Sequence, residues 1–172
     1  ASLGGNLNKA DGSIDKEAIA TLDKQLTAYV SRGGGKYHNA PLNTLQYKQC
    51  TWWAFGRGLE YLQSTGSSIT REQYRAAIHG NGGQYAANNK AAGLFAYGTV
   101  PRPNSLVCFE GSPGHVAYVE AVDYKNQKYY MSEAGGGTYW GGIVEKSFGS
   151  TYKGSGGTYK AGIFIYLDQP LR

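Results

Sequence analysis

The sequence predicts an α+β domain, with N-terminal helices packed on a C-terminal antiparallel sheet of about five or six strands. Three observations carry this expectation. Apolar residues recur at three- and four-residue steps as far as Gly93. Beyond Pro101 and Pro103 the pattern turns extended, and short loops rich in Gly, Asn and Asp separate several of the extended runs. The chain's 172 residues suit one domain, or one with a short appendage, and a chain of this size buries enough surface to hold a core without staples.

Residues 1–12 are rich in Gly and Asn and read as an arm or linker. Ser13 is placed to cap a helix over residues 14–30, with Asp15 and Glu17 in its first turn. Ile19, Leu22, Leu26 and Tyr29 form its apolar stripe, and Gly33, Gly34 and Gly35 stop it. The expected division is therefore 1–35, an N-terminal arm or helix left from a connection to another domain or subunit, and 36–172, the domain proper. A polar loop over 36–49 leads into a helix that starts near Cys50 and runs to Leu62. Gly56 and Gly58 each weaken that helix by about 1 kcal/mol, so another backbone or a ligand is expected to come close there. Thr70-Arg71-Glu72-Gln73 matches a capping box and opens a short helix to Ile78. A further helix over 84–92 ends at Gly93. Candidate strands are 105–109, 115–122, 128–133, 143–148 and 162–167, and no internal repeat is found.

The formal charge of +5 favours an acidic partner. Lys9, Lys24, Arg57, Arg75, Lys90, Lys128 and Lys160 are scattered, with no basic run and no Cys/His finger, so nucleic acid is not expected. No apolar stretch approaches the roughly 20 residues of a membrane span. Tyr is abundant (15 against 5 Phe), and its flat face and hydroxyl suit polar polymers such as glycans and peptides. The start Ala1-Ser2-Leu3-Gly4-Gly5 has no signal-peptide pattern and reads as a cut end, so it says little about export.

Few residues are available for chemistry. Cys50 sits where a polar loop enters a helix, and N–H groups there stabilise a thiolate and offer donors to an oxyanion. Cys108 lies in mid-strand, in Leu106-Val107-Cys108-Phe109, as a buried structural thiol would. A Cys50–Cys108 disulfide is the competing reading. Of the three histidines, His38 in a Gly/Asn loop and His79 at a helix end read as exposed surface residues. His115 opens a strongly apolar strand behind Gly114, which leaves access to its ring, though a satisfied core histidine would look the same. Strands 115–122 and 128–133 flank a five-residue loop and suit a hairpin. If Val122 opposes Lys128, Ala117 opposes Glu133 and His115 lies one diagonal step from it on the same face. A one-residue slip would separate them and leave Glu133 an ordinary strand-end charge.

Gln49-Cys50-Thr51-Trp52-Trp53-Ala54-Phe55-Gly56-Arg57 resembles the entry motif of the CHAP family, the cysteine- and histidine-dependent amidohydrolase/peptidases. Gly80-Asn81 and the stretch 87–93 resemble its middle region, residues 114–120 its histidine strand, and Ser132-Glu133 its acidic motif. The likeness runs in order over about residues 40–167. It implies a papain-like fold, with 36–172 as the CHAP catalytic domain, and hydrolysis of cross-bridge or stem peptides of bacterial peptidoglycan. Carried over by position, Cys50 is the nucleophile, His115 the base, Glu133 the residue that orients it, and Gln49 a contributor to the oxyanion site. Trp52, Trp53, Tyr118, Tyr139 and Trp140 are candidates for the substrate groove, with core packing the alternative for each.

Two departures from the family pattern matter. Many members place Asn two residues beyond the Glu, where this chain has Gly135, so support for the imidazole must come from elsewhere or be missing. Some phage members bind calcium through acidic residues just before the cysteine; residues 41–49 contain none, and no metal or other cofactor is expected. Endopeptidase action is favoured, with the N-acetylmuramoyl-L-alanine amidase reaction and a non-catalytic wall- or partner-binding module as alternatives. A phage lysin or bacterial autolysin acting outside the cell, at the wall, is the expected setting.

Overall fold

The computed structural model describes residues 6–135 and 139–172. Four helices come first: α1 (Lys16–Ser31), α2 (Cys50–Ser64), α3 (Arg71–Ala77) and α4 (Tyr85–Ala92). Eight strands follow: β1 (Phe95–Gly98), β2 (Ser105–Phe109), β3 (His115–Asp123), β4 (Lys128–Gly135), β5 (Tyr139–Ser147), β6 (Tyr152–Gly154), β7 (Gly157–Tyr159) and β8 (Ile163–Pro170). Six of them form an antiparallel sheet in the order β1-β8-β2-β3-β4-β5, and β6 and β7 pair as a separate ribbon. The class is the expected α+β. Five of the sheet strands coincide with expected ones within a few residues. β1, β6 and β7 are not in the sequence reading, because runs of three or four residues carry too little alternation to register.

The helix caps differ in one place. Asp15, not Ser13, caps α1, accepting from the N–H groups of Glu17 and Ala18, while Ser13 turns its hydroxyl to Asp11 at 2.6 Å. The capping box at Thr70 forms as expected, and Gly93 ends α4 in the left-handed region. The α2 glycines admit side chains as well as backbone. A Cβ on Gly56 would collide with the His38 ring and come within 2.8 Å of the Tyr37 carbonyl, and one on Gly58 would collide with the Tyr74 hydroxyl.

One face of the sheet carries the helices. Phe55, Leu59 and Leu62 of α2 meet Tyr74 of α3, Tyr85 of α4, and Leu106, Val116, Tyr118 and Ile165 of the sheet. Beside this cluster, Leu22, Leu26 and Val30 of α1 pack with Trp52, Trp53, Ala121, Tyr130 and Ala134. Leu7 and Ile14 join that second cluster, and Asn8 donates to the Val122 carbonyl at 2.7 Å, so the segment before α1 is seated on β3. The other face of the sheet buries Val107, Phe109, Ala117, Val119, Met131 and Phe164, with Tyr159 of the ribbon laid over them.

Candidate active site

Helix α2 presents Cys50 at its first residue. No side chain caps this helix: Gln49 holds the cap position with extended backbone, and its side-chain amide reaches only Gln46 Oε1, at 3.5 Å. The N–H groups of the first turn therefore point outward beside the thiol without a side-chain acceptor, as an oxyanion site requires. Cys50 is half-buried and free, and Cys108 is also free, so the alternative disulfide is not formed. Cys108 is sealed between the Gly82 carbonyl, to which it donates at 3.2 Å, and the Ala86 N–H; burial raises its pKa to about 11. It matches the structural thiol that its mid-strand position suggested.

His115 begins β3, and Glu133 lies near the end of β4. Val122 opposes Tyr129 and not Lys128, one residue off the expected register. Between Val119 and Ala121 the register shifts, leaving Glu120 as an extra residue, and Tyr118 then opposes Ser132. Continued toward the strand end, that register places Ala117 opposite Glu133. The bulge thus restores the relation between His115 and Glu133 that the displaced starting pair would have lost. His115 Nε2 and Glu133 Oε1 stand 2.8 Å apart, with both residues buried.

A second bulge makes room for the carboxylate. Opposite the step from Glu133 to Ala134, β5 carries one extra residue, Gly141. A Cβ there would stand 2.8 Å from Glu133 Cγ.

With Nε2 engaged by Glu133, Nδ1 is the ring nitrogen left for Cys50, whose side chain acts on the imidazole to raise its proton affinity. Burial alone would lower the His115 pKa. The hydrogen bonds and charges of Cys50 and Glu133 outweigh it and raise the value to about 9. The cluster is the Cys50 sulfur, an imidazole held protonated through the neutral range, and a carboxylate on the far ring nitrogen. Such a set can form a thiolate–imidazolium pair and shuttle one proton between sulfur and a leaving group.

The groove candidates divide. Trp52, Trp53 and Tyr118 are at most 2 % exposed and belong to the core, so they cannot line a surface groove. Trp53 donates to Ser132 Oγ at 2.8 Å and Trp52 to the His38 carbonyl at 2.8 Å, which meets their polar atoms internally. Trp140 packs edge-on against Trp53 and donates to Thr27 of α1 at 3.0 Å. Tyr139 is exposed, near Glu133 and Tyr152, and with the partly exposed Trp140 it stays available at the rim.

Two residues depart from the sequence reading. His38 is buried and not exposed: its ring is stacked on Trp53 at 4.9 Å in the space opened by Gly56. Tyr152, absent from the sequence reading, stacks on His115 and reaches Glu133. Its only sequence signal is an aromatic pair, Tyr152 and Tyr159, flanking a Gly-rich turn.

Cavities also lie away from this cluster among the described residues. One of about 630 Å³ is bordered by Tyr29, Arg57, Glu60, Tyr118 and Glu120. Another, of about 540 Å³, is bordered by Asn43, Phe55, Arg71, His79 and Tyr85.

Residues 40–135 match the family model of the CHAP domain. Among solved structures, an N-acetylmuramoyl-L-alanine amidase from Staphylococcus aureus is similar at 21% identity and a TM-score of 0.44, over 69% of this chain and 30% of that one. The chain thus spans less than a third of that enzyme's length. No curated protein sequence matches the chain.

Proposed function

The chain belongs to the CHAP family, and on that premise we propose that it is a thiol hydrolase of bacterial peptidoglycan that cleaves an amide bond in the wall peptides as an endopeptidase. The observation that carries the reading is the set Cys50–His115–Glu133, with Nε2 on the carboxylate and Nδ1 left for the thiol. In the proposed reaction the Cys50 proton already rests on His115, as a thiolate–imidazolium pair, and the thiolate attacks the amide carbonyl carbon. First-turn N–H groups of α2 receive the oxyanion, with the Gln49 amide, held only by Gln46 at 3.5 Å, beside them. His115 then gives its proton to the leaving nitrogen as the C–N bond breaks, which leaves a thioester. Water, deprotonated by His115, attacks the thioester; the acid product and the Cys50 thiolate separate.

This substrate places the activity at the bacterial wall. The charge of +5 supports attraction to that anionic polymer. Replacement Cys50→Ala is expected to lower lysis of susceptible walls by at least about 10⁴-fold with the fold retained; lysis at the wild-type rate overturns the nucleophile assignment. Mass spectrometry of fragments released by the wild-type chain tests the bond. New peptide N-termini from within cross-links support the endopeptidase, whereas stem peptides freed at their first alanine replace it with the amidase. Wall binding without any turnover replaces both with a binding module.

A further inference from the structure

Glu133 receives two partners on one oxygen. Oε1 stands 2.8 Å from His115 Nε2 and accepts the Tyr152 hydroxyl, also at 2.8 Å. The Tyr152 ring lies flat on the His115 imidazole, with centroids 4.1 Å apart and planes 10° apart. A single side chain thus touches the imidazole through its face and the carboxylate through its hydroxyl.

The ribbon that carries Tyr152 is fixed to the loop leading into His115. Tyr159 of β7 is buried and lies parallel to Tyr152 at 6.4 Å. Its hydroxyl accepts the Gly156 N–H at 2.8 Å, and the Lys160 N–H donates to the Glu110 carbonyl at 2.9 Å. Phe109 stacks on Tyr152 from β2 at 5.1 Å, and Lys146 of β5 stands 5.3 Å from the Tyr152 ring centre. Burial first, and then the charge of Glu133, hold the Tyr152 phenol pKa well above 10, so it remains a donor throughout the working range.

We propose that Tyr152 is the positioning residue of this site, holding the imidazole plane with its ring and Glu133 with its hydroxyl, in the place of the Asn that many relatives carry where this chain has Gly135. The proposal rests on the reading of Cys50, His115 and Glu133 as the reacting set. It also extends the working site beyond the 40–135 stretch matched by the family model, onto the ribbon at 152–159. The two contacts act on His115 in opposite directions. The π face favours the imidazolium, whereas the hydroxyl takes up part of the carboxylate charge that the imidazolium would otherwise feel. The titratable groups about the His115–Glu133–Tyr152 cluster are Cys50 from α2, which acts on His115, Tyr129 from β4 and Lys146 from β5, which act on Glu133, and Tyr139 from β5, which acts on Tyr152.

The test is the pH dependence of Cys50 alkylation by iodoacetamide, mapped by peptide mass spectrometry to separate it from Cys108, together with kcat and KM on purified peptidoglycan. Tyr152→Phe keeps the ring and removes the donor. The limb set by His115 is expected to move up by about half a pH unit, and kcat to fall about 5-fold, the worth of one hydrogen bond. Tyr152→Leu removes both contacts. The same limb is expected to move down by about half a pH unit, and kcat to fall about 10²-fold through lost orientation, with KM nearly unchanged. A merely structural tyrosine would move neither limb. Tyr152→Phe decides the matter even where Tyr152→Leu does not fold. A reactive Cys50 whose profile ignores the substitutions overturns the role of Tyr152 alone. An unreactive Cys50 in the wild-type chain overturns the reacting set and this role with it.

Discussion

His38 and His115 are both almost wholly buried, both lie against aromatic rings, and both have a carboxylate nearby. Burial pushes each pKa down, yet His38 falls to about 3 while His115 rises to about 9. The difference lies in the partners. His115 has hydrogen bonds and charge from Cys50 and Glu133 to offset desolvation. Among the described residues neither ring nitrogen of His38 makes a hydrogen bond of good geometry; the Arg57 charge adds to burial, and the Trp53 backbone opposes them only weakly. Glu60 lies 3.8 Å from His38, too far for a hydrogen bond, and is engaged by Tyr29 and Arg57. A buried histidine is thus either an inert ring that fills space or a proton carrier, and its hydrogen bonds decide which.

The strongest way to break the contrast is to make His115 resemble His38. Glu133→Gln keeps the shape and removes the charge, and is expected to cut turnover by about 10³–10⁴-fold, as loss of the orienting carboxylate does in related triads. In the wild-type chain the basic limb of activity is expected near pH 9, where His115 loses the proton that the proposed reaction delivers to the leaving group. In Glu133→Gln that limb moves to lower pH, because one of the two groups that raise the His115 pKa is gone. A limb that stays near 9 would show that Glu133 does not set it. The stability that His115 contributes has the same sign. Its pKa is raised on folding, so the contribution is full below about 6.5 and lost as pH rises through about 9.

A second replacement asks whether the Arg57 side of α2 is separable from the reacting side. Glu120 accepts Arg57 at 3.0 and 2.8 Å and Ser132 Oγ at 2.7 Å, and Ser132 holds Trp53. Arginine cannot release its proton in this setting, and through Glu120 and Ser132 it binds α2 to β3 and β4. Glu120→Ala leaves a buried guanidinium short of its main partner and is expected to cost about 3–5 kcal/mol in urea unfolding. Cys50 alkylation at pH 7 should change by less than about 3-fold, since distant sites act independently. A tenfold loss of reactivity in the folded variant would join the two clusters into one.

The sequence made the order of elements readable, because Pro101 and Pro103 separate two kinds of periodicity, and it made Cys50 readable at the start of α2. It showed the relation of His115 to Glu133 through a starting pair one residue off. The bulge at Glu120 made up the difference, and nothing in Val119-Glu120-Ala121 distinguishes a bulge from a regular outward residue. Trp52 and Trp53 read as groove candidates beside Cys50. α2 turns them inward, where Ser132 and the His38 carbonyl accept their N–H groups. Tyr152 was not legible, because a three-residue strand carries no periodicity and its partners lie 37 and 19 positions away. His38 was hidden for a related reason. A Gly/Asn loop looks exposed, and its burial depends on the space left by Gly56, remote in sequence.

The smallest effect concerns His38, and it completes the contrast from the other side. With a folded pKa of about 3 against about 6.5 unfolded, His38 remains neutral in the fold while the unfolded chain takes up its proton. Its contribution to stability is therefore full above about pH 6.5 and is lost as pH falls toward 3, with a slope of at most about 1.4 kcal/mol per pH unit. His38→Phe cannot take up that proton in either state. Its urea-unfolding free energy should fall less steeply than the wild type's between pH 6 and 4, while the basic limb near pH 9 stays in place because His115 is untouched. Parallel slopes would mean that His38 is protonated in the fold, and that Glu60 serves it as Glu133 serves His115.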